Sequence, residues 1–250
     1  MLYKIVCTML LMIFPLFSIK AEEVEKKQKI GLLIVATGKY SSFIPSLIQS
    51  ARNFFCPEHQ VTYFVFTDQP LDEAADVVRF EQKRLGWPYD TMMRYKIYLD
   101  HWEHLKEQDY LFACDADMLF TGYIGDEILS ERVATLHPGF LHQQGSYECN
   151  PLSTAYVPKF RGKSYFAGGF YGAKREAFLH ILKTNNQHIE EDLAKGIIAV
   201  WHDESHWNRY CIDFPPTCIL SPAYCYPENA DLPYEKKLLA LDKNHDAFRK

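Results

Sequence analysis

The run Tyr110–Cys114 (YLFAC) passes without a break into Asp115-Ala116-Asp117, and this junction constrains the fold more than any other part of the chain. A short continuous apolar run of this kind reads as a buried strand. A strand that delivers two carboxylates at its carboxyl end fits an open α/β sheet, where ligands bind beyond the ends of the strands. The preceding segments agree. Residues 30–36 (IGLLIVA) form another short apolar run, and residues 61–67 (VTYFVFT) are β-branched and aromatic, ending at the turn Asp68-Gln69-Pro70. Residues 77–80 are a shorter strand candidate. A helix is expected from Ser41 or Ser42 as cap to about Phe55, with Pro45 in its first turn. A second is expected over residues 91–105, where Met92, Met93, Ile97 and Leu105 fall at helical spacing behind Asp90 as a cap. The order β-α-β-β-α-β predicts an α/β fold with a mostly parallel central sheet.

With 250 residues, the chain is long enough for one large core. A net charge of −5 excludes a general nucleic-acid binder, which needs a basic face. At the N-terminus, Lys4 precedes an apolar run over residues 5–17, shorter than the ~20 residues a membrane span requires. The run has a signal-peptide shape with Ala21 as cleavage residue, and an uncleaved signal anchor competes with that reading. Lys20, Lys26, Lys27 and Lys29 follow the run while only Lys4 precedes it, which leaves its orientation open. Residues 1–28 are therefore set apart as leader and short linker, with membrane association through the apolar run. Residues 29–250 are expected to be a single unit. Beyond Cys7 in the leader, six cysteines remain, an even number that permits disulfides at low density, and Cys114 reads as a buried free thiol.

Five segments can carry chemistry. Asp115 and Asp117 offer hard oxygen ligands suited to Mn²⁺ or Mg²⁺ bridging a pyrophosphate; the competing reading is a pair of solvated acids ending a strand. In Trp201-His202-Asp203-Glu204-Ser205-His206, the two histidines are four apart and share a helix face. A zinc-protease helix needs Glu directly after the first His, and Asp203 stands there, so a polar helix start with one buried His competes. The glycines in YFAGGFYG (165–172) suit close approach to a ligand, or a tight turn or bulge. His137-Pro138-Gly139-Phe140 is a rigid turn. The tail from Leu241 to Arg249 is either solvated or sets Lys243 and Arg249 over a diphosphate.

Taken in order, VTYFVFTDQP (61–70), DADM (115–118), HPGF (137–140), YFAGGFYG (165–172), WHDESHWNRY (201–210), LSP (220–222) and KNH (243–245) resemble glycosyltransferase family 6. Its members include the blood-group A and B transferases and the α-1,3-galactosyltransferase. The similarity covers residues 31–249. It implies a GT-A-like (Rossmann-like) fold, a UDP-sugar donor, and retaining α-1,3 transfer of galactose or N-acetylgalactosamine to a galactose-containing glycan. A donor lobe over about residues 29–120 and an acceptor lobe with tail over about 121–250 follow from it.

The resemblance also assigns residues. Asp115 and Asp117 match the metal-binding pair, implying Mn²⁺ or Mg²⁺. Val35, Thr37 and Tyr40 match the uracil and ribose segment, and Arg94, Ala167, Gly168, Gly169 and Asp203 match donor-binding positions. Lys243 and Arg249 match the tail that closes over the donor. Glu204 matches the active-site glutamate, either nucleophile or stabiliser of an oxocarbenium-like centre that also orients the acceptor. Trp201 and His137 match acceptor contacts, and Ser146 approximately matches another. Ala167 and Gly169 match the positions that distinguish donors, and a glycine at the second leaves room for an N-acetyl group, favouring UDP-N-acetylgalactosamine. The chain departs from the family where Trp-Asp is replaced by Tyr226-Pro227. The family's chemistry places the domain in a secretory lumen in a eukaryotic host and facing the cytoplasm in a bacterial one, because UDP-sugars are made in the cytosol. Two other readings stay open: a sugar-binding protein that kept the fold and lost transfer, and a metal-dependent phosphoesterase using Asp115, Asp117, His202 and His206.

Overall fold

The computed structural model describes residues 26–249. The leader and its apolar run lie outside the described residues, and among those described no helix is long and apolar enough to cross a membrane. The fold is mixed α/β, with a central seven-stranded sheet. Four strands come from the first half: β1 (Lys29–Val35), β2 (Gln60–Thr67), β3 (Val77–Glu81) and β4 (Tyr110–Cys114). All three of their pairings, β3·β2, β2·β1 and β1·β4, are parallel. The sheet continues with β6 (Arg132–Leu136), β7 (Phe166–Lys174) and β8 (Cys218–Leu220) in the order β3-β2-β1-β4-β7-β6-β8. Strand β7 runs antiparallel between β4 and β6, and β8 closes the sheet parallel to β6. A small second sheet joins β5 (Met118–Phe120), β9 (Tyr226–Pro227) and β10 (Leu238–Ala240).

The apolar runs are continuous because both faces of the sheet are covered. Ile30, Leu32 and Ile34 of β1 face one core with Leu47, Ile48 and Ala51 of α1 (Ile44–Phe54). Leu33 points to the opposite core, with Tyr95 and Tyr98 of α3 (Arg94–Asp100) and Phe178 and Ile181 of α5 (Arg175–Ala194). Burying four such aliphatic side chains contributes roughly 1.5–3 kcal/mol each. Every cysteine among the described residues is a free thiol, and Cys114 is buried.

Four local expectations are corrected. Ser41 and Ser42 do not cap α1; their hydroxyls donate to the carbonyls of Gly38 and Lys39 inside a 3₁₀ turn, Gly38–Phe43, that precedes it. The helix over 91–105 is broken into α2 (Tyr89–Met92), α3 and α4 (Trp102–Leu105). At the second break the His101 Nδ1–H donates to the Ile97 carbonyl at 2.9 Å, the acceptor a continuing helix would give to the His101 backbone. Asp90 lies within α2 and accepts from the Leu85 N–H at 2.7 Å instead of capping. The glycine-rich segment is the buried strand β7 and not a turn, with one register shift against β6. Gly172 stands opposite Phe112, and a Cβ there would lie 2.1 Å from the Phe112 ring. The missing side chain is thus the slot that the ring fills, and Phe112 stacks on Phe170 at 5.7 Å.

Candidate active site

A cleft of about 270 Å³ opens at the carboxyl ends of β1 and β4. Val35 and Thr37 come from the end of β1, Asp115 and Asp117 from the end of β4, and Gly168 and Gly169 from β7. Trp201 to Glu204 enter at the start of α6 (His202–Asp213), and Lys243 and Phe248 from the tail, where α7 (His245–Arg249) follows. Strand polarity assembles it. Parallel β1 and β4 end on the same side, and antiparallel β7 begins there. The Asp115 N–H donates to the Gly169 carbonyl at 2.9 Å, extending the β4·β7 ladder into the cleft. A Cβ at Gly169 would stand 3.4 Å from Asp115 Oδ2 and 3.5 Å from Cys225 Sγ, which places this position of β7 directly beside the carboxylate.

Arg94 ties the floor together. Its side chain is only 7% exposed, and its three nitrogens reach three partners: Gly168 O at 3.0 Å, Asp115 Oδ1 at 2.7 Å and Asp203 Oδ2 at 3.0 Å. Burial works against the guanidinium charge, but Asp203 and Asp115 outweigh it and its pKa rises. Breaking such a buried pair costs roughly 3–5 kcal/mol, because the remaining charge is left without its counter-ion. Asp203, buried beside it, is pushed up to about 6 by desolvation, against the pull of Arg94.

Glu204 is held differently. Its Oε2 accepts from the Gly168 N–H at 2.8 Å, and burial pushes its carboxyl up to about 7 against that hydrogen bond. Three of the cleft carboxylates, Asp115, Asp117 and Asp203, pair with Arg94 or Lys243. Asn208 anchors the helix behind Glu204: its Oδ1 accepts from Phe166 N at 2.8 Å, and its Nδ2 donates to the carbonyls of Phe166 and Glu204 at 2.8 and 2.9 Å.

Asp115 and Asp117 fit a divalent metal. Asp117 is raised by burial and then by the neighbouring Asp115 charge, with the Lys243 ammonium opposing both. Among the described residues no group of three or more His, Cys, Asp or Glu gathers to hold an ion alone. Two carboxylates of hard oxygen would need further oxygen ligands from outside the protein to complete a cation's shell.

The remaining sequence-selected residues divide. Tyr40 lines the cleft, with its ring 5.2 Å from Phe248 and 5.6 Å from Lys243 Nζ. Trp201 stands half-exposed at the mouth, and its Nε1–H donates to Ser146 Oγ at 2.8 Å. Ala167 is a buried residue of β7 and is not part of the cleft wall. His137 also stands back from the cleft, its Nδ1 accepting from Gly139 N at 3.0 Å and its ring 5.8 Å from that of Tyr165. Burial lowers its pKa. The side chain of Arg249 lies outside the described residues.

His202 lines the cleft with a left-handed backbone, φ 51°, and meets the Trp87 ring edge-on at 4.8 Å. His206 is instead buried away from the carboxylates, 3.9 Å from Asp192 on α5, and burial lowers its pKa to about 4. The two histidines therefore part, one in the cleft and one in the core. Arg84, Trp87, Thr91, His245 and Phe248 also line the cleft. Of these only His245 belongs to a quoted motif, KNH; Arg84, Trp87, Thr91 and Phe248 arrive by tertiary folding. Asn208 was readable only as part of WHDESHWNRY.

A family model, glycosyltransferase family 6, matches residues 18–250 of the chain. The chain is 37% identical over 238 residues to the rat histo-blood group ABO system transferase 1, covering 88% of this chain and 68% of that protein. Human globoside alpha-1,3-N-acetylgalactosaminyltransferase 1 is 34% identical over 238 residues, with 88% and 68% covered. The Escherichia coli O-antigen biosynthesis glycosyltransferase WbnI is 26% identical over 227 residues, covering 88% of this chain and 97% of the bacterial protein.

Proposed function

The chain belongs to glycosyltransferase family 6, a GT-A-like family of enzymes that move a sugar from a nucleotide-sugar donor to a glycan, and from that premise we propose the reaction it performs. It transfers N-acetylgalactosamine, or galactose, from a UDP-sugar in α-1,3 linkage onto a galactose-containing acceptor, with retention at the anomeric carbon. The observation that carries this reading is Glu204: a buried carboxylate held by the Gly168 N–H, in the same cleft as Asp115 and Asp117.

The first half of the chain supplies the donor side. Val35, Thr37 and Tyr40 border the nucleoside, and Arg94, with Asp203, fixes Gly168 and Asp115 at the diphosphate end. A divalent metal, Mn²⁺ or Mg²⁺, held by Asp115 and Asp117 would neutralise charge on the departing diphosphate. Lys243 adds a positive charge at the same end, and the tail including Arg249 covers it. The second half supplies the acceptor side, with Trp201 and Ser146 at the mouth and His137 behind Tyr165. In the transfer, the bond from the anomeric carbon to the UDP oxygen breaks and UDP leaves with the electron pair. The acceptor oxygen bonds that carbon and its hydroxyl proton departs. Glu204 presents negative charge to the anomeric carbon, as nucleophile or as counter-charge, and has to be ionised to do either. Gly169 supports an N-acetylated donor by leaving the wall beside Asp115 bare, as does the N-acetylgalactosamine in the name of the globoside relative. Ala167, two residues from Gly169 in the same strand, is the second position that bears on the donor. The apolar run at residues 5–17 attaches the enzyme to a membrane, lumenal in a eukaryotic host and cytoplasm-facing in a bacterial one.

The test uses the full chain with UDP-N-acetylgalactosamine or UDP-galactose, lactose or 2′-fucosyllactose, and Mn²⁺ or EDTA, with products read by mass spectrometry. A metal-dependent tri- or tetrasaccharide is expected. UDP alone would leave the donor assignment standing and remove the acceptor; neither product would remove transfer altogether. Asp117→Asn is expected to weaken Mn²⁺ and donor binding together, seen in calorimetric titration, and unchanged metal affinity would take Asp117 out of the site.

A further inference from the structure

The long segment between the turn at His137 and β7 has no helix or strand between residues 141 and 165, yet it forms the wall beside Trp201. Buried side chains hold it. Glu148 is 6% exposed, and its two carboxylate oxygens accept from two backbone N–H groups, Asn150 at 2.7 Å and Val200 at 2.7 Å. The Val157 N–H donates to the Glu148 carbonyl at 2.9 Å, closing the segment on itself. Two residues earlier, Ser146 Oγ accepts from the Trp201 indole. Consecutive residues Val200 and Trp201 are thus gripped by the same short stretch, one through its backbone and one through its ring. They lead directly into the turn of α6 that carries Asp203 and Glu204, where Trp201 O accepts from the Glu204 N–H at 3.0 Å.

Ser153 and Thr154 bond Asp192 on α5, but that contact fixes the far end of the segment and touches neither Val200 nor Trp201. Glu148 is the buried charge that does. A carboxylate accepting two backbone N–H groups makes strong, charge-assisted hydrogen bonds, and without it both donors lose their partner.

We infer that Glu148 is a positioning residue for the acceptor: it locks Val200, and with it the Trp201 ring, against Ser146, so that the acceptor wall has one shape when the sugar arrives. It touches neither donor nor reacting atoms and acts through Trp201. This inference rests on the proposed assignment of Trp201 and Ser146 to the acceptor side.

The experiment compares Glu148→Ala and Glu148→Gln with the unaltered full chain. Glu148→Ala is expected to raise the acceptor KM about tenfold, the scale of one good hydrogen-bonded contact. The donor KM and the acceptor-independent release of UDP from UDP-N-acetylgalactosamine stay as they were. Glu148→Gln keeps one carbonyl acceptor and recovers part of the loss. Acrylamide quenching of Trp201, isolated by difference against Trp201→Phe in each background, reads the same event without turnover. It is expected to rise in Glu148→Ala and to return toward the unaltered value in Glu148→Gln. Unchanged Trp201 quenching overturns the inference, and so does a donor KM that rises in step with the acceptor KM. If the unaltered chain transfers to no acceptor, the reaction assignment fails by itself, and the quenching result still decides the role of Glu148.

Discussion

Glu204 lies between two opposing influences. The first turn of α6 and the Gly168 N–H favour its anion, while burial favours the neutral acid and prevails. A carboxyl whose folded pKa, about 7, stands above its ordinary 4.5 gives the fold stability through its bound proton. That contribution is complete below the unfolded value and is lost as the pH rises through the folded one. Glu204→Gln stays neutral throughout, so relative to the unaltered chain it should gain on the order of 1–3 kcal/mol between pH 5 and pH 8. Asp203 titrates in both proteins and cancels. Urea unfolding of the two proteins at both pH values checks this, and a pH-independent difference would mean that Glu204 is better solvated than the cleft suggests. The same variant should bind UDP-sugar normally and lose transfer by about a hundredfold or more, as loss of transition-state charge stabilisation does. Near-normal turnover would remove Glu204 from the chemistry.

At the scale of elements, β7 joins fold and site. Gly172 packs under Phe112, while Gly168 and Gly169 in the same strand form the cleft wall. Gly172→Val pushes a side chain into a filled slot and should cost about 1–3 kcal/mol, read by chemical denaturation, with the cleft end of the strand intact. An unfolding midpoint equal to that of the unaltered chain would show that the ring moves freely. The sequence revealed β1 to β4 because a strand covered on both faces must be apolar throughout. It concealed β7 because three glycines replace the side chains that would declare a strand, their places filled from neighbours. Strands of two or three residues, β8 to β10, are too short to show a period. The apolar spacing of 91–105 was real, but spacing does not register a side chain competing for the helix's own acceptor, as His101 does. For the site, Asp115, Asp117 and Glu204 were legible from motifs, whereas Arg84 and Trp87 come from a segment whose composition gives no sign of a ligand.

At the scale of the whole molecule, the tail at residues 243–248 packs against the turn that follows β1, and both line the cleft. Phe248 sits between Tyr40 and Phe43, each ring 5.2 Å away, and the Lys39 ammonium donates to the Ala247 carbonyl at 2.6 Å. Lys243 meanwhile reaches Asp117. Ending the chain after Asp242 should raise the donor KM about tenfold, the effect of losing one charge-assisted contact of about 1.4 kcal/mol, while leaving the unfolding midpoint nearly unchanged. A midpoint that drops sharply would make the tail part of the core. The sheet order has a further consequence during synthesis. Strand β4 takes its second neighbour, β7, from a segment translated much later. While the ribosome is still making the intervening residues, the nascent sheet β3-β2-β1-β4 therefore carries an open edge at β4, ready to pair with any passing strand. A message cut short in that interval would yield both aspartates and no enzyme.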